Sequence, residues 1–573
     1  MNGLLLLIIA VVCLFLGYLF YGKWLCKKWG VGENTEETPA HTMQDGVDYV
    51  PAKAPVLMGH HFSSIAGAGP ITGPISAATA GFGWLACVLW IVIGGIFVGG
   101  VHDFGALFAS VRHGGKSIGE IISANMSKRA KRLFIIFAYL TLILVVAAFA
   151  SIVAGTFGAT YDEAGVLDKV ASLSQARVAM VSLLFIVIAI VFGFLVYRRN
   201  MPMGISTICG VIAIVVIIVI GLNFHPIYLS AKAWMWIVGL YIAIASVTPV
   251  WILLQPRDYL SSFLLYAMLA LAVIAVFVAH PSMSSLPVLQ SVDSSSPVFP
   301  VLFTTIACGA CSGFHSLVSS GTTSKQLDKE TDAKPIAYGG MLLECVLAVL
   351  TLVAVAYAYQ WNAANPDAAL SGATAIFGGG IAGMIAGAHS GALYSVLYTL
   401  LVLTYSAFCL TSLDTATRLA RFMFQEFWLD GSKGETPENV TGVKKVLANP
   451  YVATVITVVL GVLLGLNGYA KIWALFGSAN QLLAALGLLA VATWLGNIGK
   501  KRAMVVIPMF FMLCVTIASL CINTKKQIGV ISAGGADWGP YVQVIIGILL
   551  VVLAVVLAIE GIVTLTKQSK AKA

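Results

Sequence analysis

GHHFSSIAGAGPITGPISAATAG, residues 59–81, is the stretch that decides the fold. It is apolar enough to lie in a membrane, yet it carries adjacent His60 and His61, then Ser63 and Ser64. Helix breakers follow at Gly67, Gly69, Pro70, Gly73 and Pro74. Proline removes a backbone donor and clashes with the preceding turn, and glycine adds backbone entropy, so an unbroken helix is not expected. Inside a bilayer, broken backbone persists only where protein covers it or where it lines a cavity. Secondary transporters build substrate and ion sites from such helices, with freed N–H groups facing anions and freed carbonyls facing cations. A Pro-kinked packing helix is the plainer alternative, and the histidines and serines beside the break favour a site.

The rest of the chain supports a membrane setting. Of 573 residues, 59% are hydrophobic and only 10% charged, against about 25% charged in soluble domains. That excludes a soluble enzyme, a disordered protein and a nucleic-acid binder. Apolar segments of membrane-spanning length fall near 3–22, 57–82, 84–111, 133–156, 178–197, 203–222, 233–254 and 259–279. Others fall near 301–320, 336–359, 391–412, 451–467, 473–495, 503–522 and 541–565. The expected fold is therefore an all-α polytopic membrane protein with about 15 transmembrane helices. The first apolar run has no basic flank before it and no small-residue cleavage site after it, so it reads as a retained span rather than a signal peptide. A Gly-rich piece, 374–388, suits a re-entrant segment or an extension of the eleventh span.

Basic residues set the orientation. Lys23, Lys27 and Lys28 follow the first span and no charge precedes it, which places the N-terminus outside and the C-terminus in the cytoplasm. Alternating from there, Lys169, Arg177, Lys232, Lys471, Lys525 and Lys526 are the basic residues left outside, from 33 in all. The net charge of +9 is thus mostly a topology signal, not a binding surface.

Other segments carry ionisable groups into the membrane, where each is a functional hypothesis by default. The third span holds His102 and Asp103 in GGIFVGGVHDFGALF (94–108). Such a pair suits a proton relay, because histidine titrates near neutrality; a structural ion pair is the alternative. In PVWILLQPRDYLSSF (249–263), Pro249 and Pro256 interrupt the inner end of the seventh span, and Arg257 and Asp258 follow. They suit an inner gate, a carboxylate-binding residue or a plain cytoplasmic charge. The ninth span and its continuation, CGACSGFHSLVSSGTTSKQLDKE (308–330), bring His315 and Ser316, then the hydroxyls of Ser319, Ser320, Thr322 and Thr323. Hydroxyl oxygens suit a small hard cation or a carboxylate, or simply back-bond to helix carbonyls. Glu344, His389 and Asp414 are further candidates, with Asp414 and Arg418 spaced to pair on one helix face. Asn480 and Gln481 read as interhelical glue. Cys308 and Cys311 form a CxxC that reads as small residues at a helix contact.

No P-loop, HExxH or GxSxG motif is present, which disfavours ATP-driven transport and hydrolytic chemistry. A membrane metal or haem protein would need His60, His61, His102 and His315 to converge on one ion.

Taken together, GHHFSSIAGAGPITGP, VHDF, RHGGKSIGEI, PVWILLQPRDYL, GFHSLVSSGTTSKQL, GGMLLE, TSLDTATRLARF and IWALFGSANQLLAAL resemble the carbon starvation protein A family of bacterial inner-membrane transporters. These stretches run in order from about 59 to 490 and span most of the chain. The resemblance implies uptake of peptides or pyruvate during nutrient limitation. It also implies a place in the amino acid–polyamine–organocation superfamily, with a core of two inverted five-helix repeats. On that reading 1–56 is a first helix and loop, 57–222 the first repeat, 223–426 the second, and 427–573 the remaining helices and tail. The seventh span, Pro-interrupted, becomes the second broken helix.

The expected function is secondary import of pyruvate or short peptides, and not catalysis. His60, His61, Ser63, Gly67, Gly69, His315 and Ser316 would bind substrate. His102, Asp103, Ser319, Ser320, Thr322, Thr323 and Glu344 would couple an ion, and Arg257, Asp258 and Asp414 would gate. Protons are the expected coupling ion and sodium the second choice. The expected partners are the substrate, that ion and membrane lipid, with no cofactor, resident metal or nucleic acid. The sequence leaves the oligomeric state open.

Overall fold

A segment that is apolar on all faces is stable only as a helix enclosed by lipid or protein, with every backbone group paired inside it. The computed structural model is assembled from such helices. It describes residues 1–570 apart from 34–36, 47, 163, 200, 291–295, 430–434 and 535–536. Among the described residues, 12 helices are long and apolar enough to cross a bilayer, and strand pairing is confined to isolated bridges.

In chain order the helices are α1 (Gly3–Trp29), then the pair α2 (Ala54–Ile65) and α3 (Gly69–Thr79). Next come α4 (Trp84–Arg112), α5 (Lys128–Phe157), α6 (Leu173–Tyr197), α7 (Met203–Asn223), α8 (Ala231–Val247) and α9 (Leu254–Ala279). The short α10 (Phe303–Ile306) and α11 (Phe314–Gly321) precede α12 (Gly339–Ala364), α13 (Gly380–Ala386) and α14 (Gly391–Trp428). The chain ends with α15 (Pro450–Gly465), α16 (Tyr469–Asn497), α17 (Ala503–Ser532) and α18 (Trp538–Lys570).

Each of the fifteen expected spans meets a helix, but length and composition establish 12 crossings. The second span is the broken pair α2–α3. The seventh and twelfth are α8, of 17 residues, and α15, of 16 residues. At about 1.5 Å per residue such helices fall short of the roughly 30 Å hydrocarbon core.

Burial separates core from lipid face. α5, α12, α14 and α16 are mostly buried, and α5 packs along α14. α1, α7 and α18 instead present rows of exposed large apolar side chains, among them Leu5, Ile8, Val12, Ile205, Ile208, Ile212, Ile545, Ile548 and Val552. Such rows are stable against acyl chains.

Two chain breaks lie at the centre. The first, Ala66–Ala68, separates α2 from α3, where Gly67 donates its N–H to the Ile65 carbonyl at 2.8 Å. Pro70 then sits in the first turn of α3, where a missing N–H costs nothing. Gly73 and Pro74 are helical, contrary to the expectation of a break through all five positions. The second break, Ala307–Gly313, separates α10 from α11 and includes Ala307 at φ 45°, a conformation non-glycine residues seldom adopt. α3 lies against α10 and α2 against α11, so the two broken segments run antiparallel with their breaks adjacent.

This corrects the expected position of the second broken helix. The interruption at Pro249 is a non-helical link, Thr248–Leu253, between α8 and α9, and Pro256 lies in the first turn of α9. The helix broken at its middle is the ninth span.

Candidate functional site

Broken backbone leaves donors and acceptors that must be paired. At the second break α16 supplies the partner. The Asn480 carbonyl accepts from Gly313 N at 3.0 Å. Its side-chain Oδ1 accepts from Phe314 N at 2.8 Å, and its Nδ2 donates to Ser312 Oγ at 3.0 Å. Gln481 Nε2 reaches the Ala307 carbonyl at 3.4 Å. Both amides act as the glue their position in an apolar span suggests. At the first break Ser412 Oγ donates to the Ser64 carbonyl at 3.1 Å.

Around these breaks the ionisable side chains form two buried groups. In the first, Asp103 of α4 lies between two histidines. His102 Nδ1 is 2.7 Å from Asp103 Oδ1, and His315 Nδ1 of α11 is 2.7 Å from Asp103 Oδ2. An ionised carboxylate only accepts, so both Nδ1 atoms carry hydrogen in that state. His315 Nε2 then faces Glu344 Oε2 of α12 at 3.3 Å. All four side chains are fully buried. Among the described residues, His102 Nε2 and both Glu344 oxygens have no hydrogen-bond partner. Charges buried this way persist only when paired, because desolvation costs several kcal/mol per ion. The chemistry on offer is a run of alternating acids and bases crossing three helices beside the breaks. His61 of α2 stands nearby through Thr323, with Nδ1 2.8 Å from Thr323 Oγ1.

The second group lies where α9 meets α2, α8 and α14. Arg257 Nη1 pairs closely with Asp414 Oδ2, its Nη2 is 3.2 Å from Asp258 Oδ1, and its Nη1 donates to Tyr241 Oη at 2.5 Å. Tyr241 Oη in turn donates to Asp414 Oδ2 at 2.7 Å. His60 Nδ1 lies 3.3 Å from Asp258 Oδ2, and Ser64 Oγ donates to that oxygen at 3.3 Å. Ser63 Oγ donates to the carbonyls of Gly59 and Asp258 at 2.7 and 2.9 Å. Arg257 is 1% exposed, which removes the plain cytoplasmic-charge reading. Asp414 does not pair with Arg418, as their spacing suggested; Arg418 instead donates to the Ala245 and Thr248 carbonyls at the end of α8.

The remaining candidates divide by what their polar atoms do. Ser316, Ser320 and Thr322 donate to carbonyls of their own segment, at 2.7, 2.7 and 2.9 Å. Ser319 Oγ is buried without a partner among the described residues. Gly67 is pressed against Phe149 and Ser412, and Gly69 against the Cys308 side chain, so both are positions of close packing. His389 lies apart from the other histidines, stacked on Trp361 with ring centroids 4.0 Å apart. Tyr241 escaped the sequence reading, since nothing distinguishes a tyrosine in an aromatic-rich span until its hydroxyl meets Arg257.

The family model described as carbon starvation protein CstA matches residues 2–374 and 360–519. The chain belongs to the carbon starvation protein CstA family. Among CstA relatives, "Peptide transporter CstA" of Bacillus subtilis is 30% identical over 542 residues, covering 88% of this chain and 87% of that protein. The peptide transporter CstA of Helicobacter pylori strain 26695 is 32% identical over 581 residues, covering 90% of this chain and 81% of its own. The "Pyruvate/proton symporter BtsT" of Escherichia coli is 34% identical over 364 residues, covering 61% of this chain and 48% of the symporter. The CstA fold also resembles a crystal structure of the Eremococcus coleocola manganese transporter, with a TM-score of 0.50, 14% identity and coverage of 92% of this chain and 99% of that one. At that identity the likeness concerns the fold alone. The protein is a multi-pass membrane protein of a transporter family.

Proposed function

We propose that this protein is a secondary active transporter that imports pyruvate or short peptides with protons. The observation that carries the coupling is the buried series His102, Asp103, His315 and Glu344. It joins α4, α11 and α12 beside the two breaks, so a proton bound there alters the contacts that hold the broken helices together. The names of the relatives, peptide transporter and pyruvate/proton symporter, support the substrate class and the ion. The group around Arg257 and Asp414 ties α9 to α14, α8 and α2, as an inner gate would. Of the expected substrate contacts, His60 and His61 keep buried ring nitrogens without a hydrogen-bond partner among the described residues and remain proposed; Ser63, Ser316, Gly67 and Gly69 are engaged within the protein, and His315 joins the coupling series instead. Sodium has less support, because the relative whose name gives a coupling ion is a proton symporter.

We infer two inverted five-helix repeats, drawn differently from the sequence expectation. The first runs α2–α3, α4, α5, α6 and α9, and the second α10–α11, α12, α14, α15 and α16, with α7 and α8 an inserted hairpin. The packing supports this: α5 pairs with α14, α6 packs on α14 as α15 packs on α5, and α9 lies against α2 as α16 lies against α10. The N-terminus outside, the C-terminus inside and the bacterial inner membrane complete the proposal, in keeping with uptake under carbon limitation. Right-side-out vesicles given labelled pyruvate and dialanine, with and without an acid-outside pH gradient, test it. Gradient-dependent accumulation of either probe is expected. No accumulation of either under any gradient overturns the transport reading.

A further inference from the structure

Two cavities at one end of the bundle share Gly372, Ala373 and Tyr469. The larger encloses about 960 Å³ and the smaller about 290 Å³. Lys525 and Lys526 of α17 line the larger one, both exposed and neither facing a carboxylate among the described residues. The described lining of the two cavities includes no acidic side chain. A recess with one sign of charge raises the local concentration of the opposite ion. The smaller cavity is lined by Gln175, whose Oε1 is buried without a donor. Between them, Thr72 lines the larger cavity and Tyr405 the smaller, and their hydroxyls are 3.0 Å apart. Thr72 belongs to α3, so the broken helix forms part of the floor.

We propose that the joined cavities form an outer capture site for the substrate's carboxylate, held by Lys525 and Lys526, with Gln175 accepting a hydrogen bond from an N–H of the substrate. This rests on the transport reading and on the outward placement of these lysines. It gives α17, which lies outside the two repeats, a part in substrate selection. A dipeptide has the N–H donors that Gln175 needs. Pyruvate has a carboxylate and no donor, so the two lysines serve both substrates and Gln175 serves only one.

The test uses initial rates of labelled pyruvate and dialanine uptake in right-side-out vesicles holding the full chain. Combined Lys525→Gln and Lys526→Gln is expected to raise KM for both probes roughly tenfold, leave the maximal rate unchanged, and flatten the loss of uptake with added salt. Lys232→Gln with Lys471→Gln removes two charges at positions outside the lining of the cavities and should leave KM unchanged. Gln175→Leu should raise KM for dialanine and not for pyruvate. In a Cys521→Ser background, the thiol of Ala373→Cys should react with a membrane-impermeant thiosulfonate added outside, and saturating substrate should slow that reaction. Wild-type uptake with an unchanged KM in the double lysine variant overturns the capture site, as does thiol labelling indifferent to substrate. Absence of all wild-type uptake overturns the transport reading instead, and thiol protection then reports on binding by itself.

Discussion

His315 Nδ1 stands 2.7 Å from Asp103 Oδ2, joining helices whose contact residues are 212 positions apart in the chain. The same imidazole faces Glu344 across its other nitrogen at 3.3 Å. One side chain therefore separates two buried carboxyl groups. Its removal leaves both without the ring. His315→Ala is expected to lower stability by about 3–5 kcal/mol, the cost of breaking a buried pair. His315→Gln, which keeps a donor toward Asp103, should lower it less. Denaturant unfolding in detergent measures both, and equal losses would contradict a hydrogen-bonding role for the ring toward Asp103.

Arg257 and Asp414 form a second buried pair, further bridged by Tyr241. Asp414→Asn leaves the guanidinium short of its main counter-charge and should cost about 3–5 kcal/mol. The double variant Arg257→Met, Asp414→Asn should cost less than the sum of the two single changes, because neither member of the pair is left facing a vacated partner, while Asp258 keeps only its His60 and Ser64 contacts. A double-mutant cycle on thermal unfolding reads the coupling, and simple additivity of the two single changes would show that the pair does not interact.

The crossing of the broken helices depends on glycine. A Cβ on Gly73 would meet the Ile306 backbone, with the Ile306 carbonyl carbon at 2.9 Å. Gly73→Ala should therefore destabilise by about 1–3 kcal/mol through overpacking. Gly529→Ala, with open space around its Cβ position, should be neutral or slightly stabilising. The yield of folded monodisperse protein from each variant checks the contrast.

Sodium dependence separates the two coupling ions. Uptake driven by a pH gradient should be unaffected when external sodium is replaced by choline, and Ser319→Ala should keep at least half of the wild-type rate. A requirement for sodium, abolished by Ser319→Ala, would move the coupling site to the α11 hydroxyls.

Much of this was legible in the sequence, for identifiable reasons. The break after α2 showed in local glycines and prolines at 67–74. Asp103, His315 and Glu344 stood out because charge is costly in an apolar span. Their convergence did not show, since it depends on how α4, α11 and α12 pack. In the sequence a second break is visible only at Pro249 and Pro256, where proline marks it. It lies instead at Ala307–Gly313, a stretch without proline, where Asn480 pairs the broken backbone from a helix 166 residues away. Arg257 follows a proline at a span end, a position that suits an inner gate, a carboxylate-binding residue or a cytoplasmic charge alike. Burial beside Asp258, Asp414 and Tyr241 gives it a different setting that no local pattern shows.

Asp103 joins the two histidines of the proposed coupling series, so proton coupling depends on its carboxylate. The direct measurement compares wild type with Asp103→Asn in vesicles, following accumulation of labelled pyruvate and dialanine under an imposed pH gradient beside exchange of each across vesicles at equal pH. The account predicts that Asp103→Asn abolishes gradient-driven accumulation and keeps exchange. Accumulation by Asp103→Asn at the wild-type level, still driven by the pH gradient, would contradict it.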